Sequence, residues 1–328
     1  MKLIGIEEHF LTEEVCGAWK ASGLEAKDPS IAFNSGVIKR RLFDIADERL
    51  ALMDESGLDM QVLSLTSPAL HGLGPASVGM AQRINDGIAE VAARYPSRFQ
   101  ALATLPVSMP DEAANELERC IKSLGFKGAL LCSGGAEHLD SPGYFPILSC
   151  AETLNAPVLI HPGAPDIAVR NAYYSGFSPE VNTAFATYGL GWHYDAGIQF
   201  IRLVLSGTFD RLPALQMILG HWGELILFYA ERLAAMDRVA NLKLPLASYL
   251  RENLYVTASG MFFSHFLDRA VAIVGTERIL FSTDYPFQYR TGNEARQFLE
   301  TCHLSENDKA AFAHGNWMRL TRDRSTAN

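Results

Sequence analysis

Eight short apolar runs recur along this chain, with a helix-like segment after nearly every one. That alternation constrains the fold more than any other feature. The runs are Leu3–Phe10, Asp59–Leu65, Phe99–Leu105, Lys127–Cys132, Ala156–Ile160, Leu215–Leu219, Asn253–Ala258 and Arg278–Ser282. Between them the spacing predicts helices over 41–56, 78–95, Pro110–Ser123, 144–154, roughly 192–207, 225–239 and Ser264–Val274, with more helix to about 320. In the first of these, Leu42, Ile45, Ala46, Leu50 and Met53 fall on one face. Gly57 ends it as a C-cap, and Pro96 closes the second. Strands separated by helices form a parallel sheet. Eight such units in 328 residues predict one α/β domain over 1–328, a closed (β/α)8 barrel of the TIM type. An open doubly wound sheet is the runner-up, but its glycine fingerprint is missing after the first strand.

Two stretches break the pattern and read as loop insertions. Residues 11–40 are interrupted by Gly17, Gly23, Pro29 and Gly36. They are expected to cover the mouth of a site or to pack on a neighbouring subunit. Residues 163–190 are irregular and carry Tyr173, Tyr174, Phe177, Phe185 and Tyr188. The Ser133-Gly134-Gly135 turn follows the fourth strand, and the last few residues look frayed.

The charge balance narrows the partners. Net charge is -9 with no basic cluster, which argues against nucleic acid. No apolar run approaches the length of a membrane span, and the start lacks a signal-peptide pattern. Five scattered cysteines without a Cys-x-x-Cys pair suit a reducing, cytoplasmic setting.

Barrel active sites sit at the C-terminal ends of strands, and ligand-type residues fall there. Glu7 and His9 close the first run two residues apart, so they share a face. His161 follows the fifth, His221 the sixth and Asp284 the eighth. Two imidazoles and two carboxylates suit one divalent ion, zinc or manganese. Glu8 should point away from the mouth into an ion pair. His71, His138, His193, His265, His303 and His314 read as ordinary polar positions.

At this point the motifs resemble the amidohydrolase superfamily. The first-strand pattern Glu7-x-His9 is similar to its hydroxybenzoate decarboxylase branch, which includes γ-resorcylate, 2,3-dihydroxybenzoate and 5-carboxyvanillate decarboxylases. Arg41-Leu-x-Asp44 with Arg49 and Met53-Asp54, Leu124-Gly-Phe-x-Gly-Ala129, Ile160-His-Pro162, Ile218-Leu-Gly-His-x-Gly-Glu224 and Ile279-Leu-Phe-Ser-Thr-Asp-Tyr-Pro-Phe287 extend the likeness over roughly residues 3–320. The resemblance implies metal ligation by Glu7, His9, His161 and Asp284, and a catalytic pair of His221 and Glu224 beside them. Asp284 doubles as the proton donor. Arg232 matches a family arginine, with a place in the site, at a subunit interface or in a surface ion pair. Cys132 stands where the branch often carries Asn, and is expected to line the pocket rather than attack.

The implied activity is metal-dependent, non-oxidative decarboxylation of a small hydroxylated aromatic acid by a carboxy-lyase. A metal-dependent lactone or amide hydrolase is the alternative, and a silent metal-binding scaffold the third reading. The ring needs an apolar slot, for which Phe10, Trp222, Tyr285 and Phe287 adjoin the ligands. Relatives of this kind imply a homodimer or homotetramer.

Overall fold

The computed structural model describes residues 1–134 and 137–322. Gly135 of the turn after the fourth strand and the last residues, expected to be frayed, lie outside the described residues. The eight expected strands form as β1 Ile4–Phe10, β2 Met60–Leu65, β3 Phe99–Ala101, β4 Ala129–Cys132, β5 Val158–His161, β6 Met217–Leu219, β7 Leu254–Thr257 and β8 Ile279–Leu280. Every pairing is parallel, in the orders β1-β2-β3 and β4-β5-β6-β7-β8.

Backbone hydrogen bonds join the two groups at both seams. Ala103 N–H donates to Gly128 at 2.8 Å and Lys127 N–H to Ala101 at 2.9 Å. Across the other seam, Ile6 N–H donates to Phe281 at 3.0 Å and His9 N–H to Tyr285 at 2.7 Å. Each strand therefore has a neighbour on both sides, as a barrel requires. The strands are buried nearly throughout because helices cover the outside and side chains fill the inside.

Several helices depart from expectation. Between β1 and β2 lie α1 Glu13–Ala21, α2 Gly36–Phe43 and α3 Asp47–Ser56. Residues 11–40 thus contain a full helix, α1, not only loop. Trp19 on α1 is buried, and its indole N–H donates to the Ala69 carbonyl at 2.9 Å. The expected helix 41–56 is two helices. Asp44 leaves helical dihedrals, and its carboxylate accepts from the backbone N–H groups of Glu48 and Arg49 at 2.9 and 3.2 Å.

The helices α4 Ser77–Arg94, α5 Pro110–Lys122 and α6 Phe145–Thr153 follow β2, β3 and β4. After β5 come α7 Ile167–Tyr173, α8 Pro179–Ala186 and α9 Gly191–Leu205. Segment 163–190 is therefore largely helical. Its start signals are the Asp166 side chain, accepting from Ala168 N–H at 2.8 Å, and Ser178 before Pro179. The stretch 225–239 breaks into Ile226–Tyr229, Ala230–Ala234 and Ala235–Arg238, of which only the middle piece is α-helical. No helix among the described residues is long and apolar enough to cross a membrane.

Candidate active site

β1 carries an irregularity that shapes the site. Its register against β2 shifts between Gly5 and Glu8. Glu7 and His9 face the barrel interior, while Glu8 turns toward the seam with β8. Glu8 makes no ion pair among the described residues. Its carboxylate accepts from Thr283 N–H at 2.8 Å, Thr283 Oγ1–H at 2.5 Å and Tyr285 N–H at 3.2 Å. Burial pushes its pKa up to about 8. Gly5 is needed beneath it, since a Cβ there would stand 2.2 Å from Glu8 Oε1.

Glu7, His9, His161 and Asp284 come together. Each offers one ligand atom, and these atoms lie within 4.8 Å of one another. His9 Nε2 is 3.1 Å from His161 Nε2 and 3.3 Å from Asp284 Oδ1. His161 Nε2 is 3.8 Å from Glu7 Oε1. His161 donates from Nδ1 to its neighbour's carbonyl, Pro162 O, at 2.9 Å, which leaves the Nε2 lone pair facing inward. Ser64 Oγ sits 3.2 Å from His9 Nδ1. Glu7 Oε2 accepts from Thr257 Oγ1–H at 2.8 Å and from Ser259 Oγ–H, while Glu7 Oε1 is buried without a partner. Two close imidazole nitrogens and an orphaned carboxylate oxygen suit a shared cation.

Charge states agree with that fit. Burial lowers His9 to about 4 and, together with His9, lowers His161 to about 3, so both rings are neutral near pH 7. Burial opposes ionisation of Glu7, but His221, His161 and His9 outweigh it and hold Glu7 below its ordinary value. Asp284 goes the other way, raised by burial and by Glu7. Arg49, fully buried, braces the set from behind. It donates from Nη2 to the His9 carbonyl at 2.5 Å and from Nη1 to Gln61 Oε1 at 3.0 Å, and it stacks on Tyr285 at 4.5 Å.

A second cluster adjoins the first. His221 donates from Nδ1 to Glu224 Oε1 at 2.7 Å, and its Nε2 lies 3.9 Å from Asp284 Oδ2. Burial works against protonation of His221, but Glu224, Glu7 and Asp284 raise it to about 10. Burial works against ionisation of Glu224, yet His221 and His193 hold it near 2. Gly220 allows the close approach, because a Cβ there would stand 2.9 Å from Glu7 Oε1 and 3.1 Å from Glu224 Oε1. His221, Glu224, Ser259 and Asp284 all take left-handed dihedrals, with φ between 44° and 55°. Such strain concentrates at functional sites.

These groups border a cavity of about 610 Å³. His161, His221 and Asp284 form its polar wall. Phe33 and Ile38 from the 11–40 segment, Tyr188, Trp192 and Phe287 form its apolar wall. Of the four aromatic residues expected to form the slot, Phe287 alone lines the cavity. Phe10 and Tyr285 are fully buried, and Trp222 is turned into the core with its N–H donating to Met261 O at 2.8 Å. Arg232 is exposed on the short helix Ala230–Ala234 and does not line the cavity. Cys132 is buried behind the wall and not among the lining residues, with its thiol pushed up to about 12 by burial. That position is wrong for a nucleophile.

The reading of His193 as an ordinary polar residue does not hold. His193 lines the cavity, and its Nδ1 lies 2.7 Å from Glu224 Oε2. It enters from the first turn of α9, 32 residues past the end of β5, where strand-end reasoning does not look. Thr257 and Ser259, which orient Glu7, are hydroxyls at the end of β7 that no charge pattern marks.

Comparison with known proteins gives consistent matches. Residues 9–320 match the Amidohydrolase family. The chain is 34% identical over 333 residues to a γ-resorcylate decarboxylase of Polaromonas sp. (strain JS666), covering 97% of each. The crystal structure of 5-carboxyvanillate decarboxylase from Sphingomonas paucimobilis superposes with a TM-score of 0.89 at 30% identity, covering 98% of this chain and 99% of that one. A dihydroxybenzoic acid decarboxylase from Polaromonas sp. JS666, solved with manganese and the inhibitor 2-nitroresorcinol, gives a TM-score of 0.83 at 32% identity, over 98% and 96%.

Proposed function

The chain belongs to the amidohydrolase family, and on that footing we propose that it is a metal-dependent decarboxylase of a hydroxylated aromatic acid. The observation that carries the reading is the meeting of Glu7, His9, His161 and Asp284 beside an aromatic-walled cavity. These four residues would hold one divalent ion, manganese or zinc. When bound, it would supply a Lewis acid that supports charge developing on the aromatic acid.

The protein's own groups supply the rest. Asp284 lines the cavity with His221 Nε2 3.9 Å from its Oδ2, and it is the group placed to deliver a proton there. That proton passes to the ring carbon bearing the carboxylate. The carbon–carbon bond then breaks, its electron pair returns to the ring, and carbon dioxide leaves. His221, fixed by Glu224, faces Asp284 Oδ2 and the cavity, where it steadies the phenolic oxygen or returns the proton. Phe33, Trp192 and Phe287 flank the ring and limit water.

The protein works as a homo-oligomer in the cytoplasm. Tyr173, Phe177, Val181 and Phe228 are apolar side chains exposed at or above half of their possible area, which suits contact with a second copy. All five cysteines are free, in keeping with a reducing compartment.

Carbon dioxide release from a panel of hydroxybenzoates tests the activity, alongside elemental analysis and the Asp284→Asn and His221→Asn variants. About one metal per chain, with turnover lost in both variants, supports the reading. Stoichiometric metal with no carbon dioxide from any acid overturns it in favour of lactone or amide hydrolysis.

A further inference from the structure

Glu224 stands between two imidazoles. Its Oε1 takes the Nδ1 proton of His221, and its Oε2 lies 2.7 Å from Nδ1 of His193. The state of His193 is decided by a third residue. The indole of Trp192 carries a donor and no acceptor. Its Nε1–H points at His193 Nε2 across 3.1 Å. A ring nitrogen that accepts this bond has no proton of its own. The proton of neutral His193 therefore sits on Nδ1 and is donated to Glu224.

The opposite tautomer has a partner waiting. The Tyr188 carbonyl lies 3.3 Å from His193 Nε2, so an Nε2–H would find an acceptor there. It would also meet the indole N–H head on and turn a lone pair toward the Glu224 carboxylate. The arrangement also argues against a second metal at His193, His221 and Glu224, because Nδ1 of His193 is occupied by its proton.

We infer that His193 is a positioning residue of the decarboxylation site and that Trp192 selects its tautomer. Clamped at Oε2, Glu224 cannot swing, and its other oxygen is reserved for His221. The His221 ring is thereby held with Nε2 toward Asp284 and the cavity. Gly197 completes the seat, since a Cβ there would stand 2.4 Å from the Glu224 carbonyl oxygen. The functional half of this inference rests on the reading of His221 as a group that meets substrate, whereas the tautomer does not.

Two measurements test it separately. In protein labelled with ¹⁵N-histidine, long-range ¹H–¹⁵N spectra assign the ring, using His193→Phe to identify the signals. The neutral ring of His193 is expected to carry its proton on Nδ1, shifting toward Nε2–H in Trp192→Phe. A neutral wild-type ring protonated on Nε2 overturns the proposal whether or not the protein decarboxylates anything. Kinetics give the second arm. His193→Phe should lower kcat about 10- to 100-fold, with metal content unchanged and KM moved far less. His193→Asn, which keeps an N–H for Glu224, should recover most of that loss. No loss in His193→Phe, or equal losses in the two variants, overturns the positioning role. Wild type inactive on every acid would instead count against the decarboxylase reading, with the spectra still deciding the tautomer.

Discussion

The Nε2 atoms of His9 and His161 lie 3.1 Å apart, and His161 turns its lone pair inward because its Nδ1–H is committed to the Pro162 carbonyl. Two neutral imidazoles at this separation gain most from a cation between them. His161→Ala should therefore drop bound metal from about one equivalent to a small fraction, read by elemental analysis after dialysis. Chelation of the wild type should lower Tm, and re-addition of manganese should restore it, since a ligand that binds only the folded state stabilises that state. An unchanged Tm on chelation would sink the assignment of the ligand set.

Gly220→Ala places a methyl 2.9 Å from Glu7 Oε1 and 3.1 Å from Glu224 Oε1. Both carboxylates must shift, so one substitution disturbs both clusters. Activity should fall about 10- to 100-fold, as for other changes that disorient ligands, with the far-ultraviolet circular dichroism unchanged. Wild-type activity in this variant would show that the approach is not needed.

Arg49 is buried among carbonyls and the Tyr285 ring. Arg49→Met leaves the oxygens of His9, Gln61 and Asp44 without their donor. The cost should be at least about 1–3 kcal/mol in urea unfolding, the penalty for a buried acceptor left without its donor. A cost under about 1 kcal/mol, the range of surface substitutions and exposed pairs, would mean that the network is dispensable.

Glu8 gives a pH dependence whose sign can be worked out. Its folded pKa is raised to about 8 from an ordinary value of 4.5, so the folded state holds the proton more tightly than the unfolded chain. Its contribution is complete below pH 4.5 and is lost as pH rises through about 8. The slope approaches about 1.4 kcal/mol per pH unit in that window. Stability of the wild type relative to Glu8→Gln should decline between pH 5 and pH 8, followed by denaturant unfolding of the metal-free protein. A flat difference would show that Glu8 stays ionised throughout.

Much of the barrel was legible because parallel strands buried on both faces read as apolar runs, and such runs mark Met60–Leu65 and Val158–His161 clearly. The four residues of the candidate metal group were legible for a related reason, as each stands at or just past a strand end. Phe10, Trp222 and Tyr285 misled because neighbours in sequence turn to different sides of the backbone, so the residue beside a ligand faces the core rather than the cavity. The break at Asp44 went unseen because an aspartate that caps a new helix looks like one more polar position on an old one. His193 was invisible for want of local context, being brought to Glu224 by the packing of α9 against the loop after β6.

The bonds from Thr283 and Tyr285 to Glu8 tie the last strand to the first across more than 270 residues. Asp284 sits between the two residues that make that tie. A growing chain leaving the ribosome has Glu7 and His9 early and His161 midway, but it lacks Asp284 until the ring is nearly complete. Metal capture by the proposed set would therefore be a finishing event, and a nascent chain stalled before the eighth strand would carry three of the four candidate residues with nothing to hold them in register.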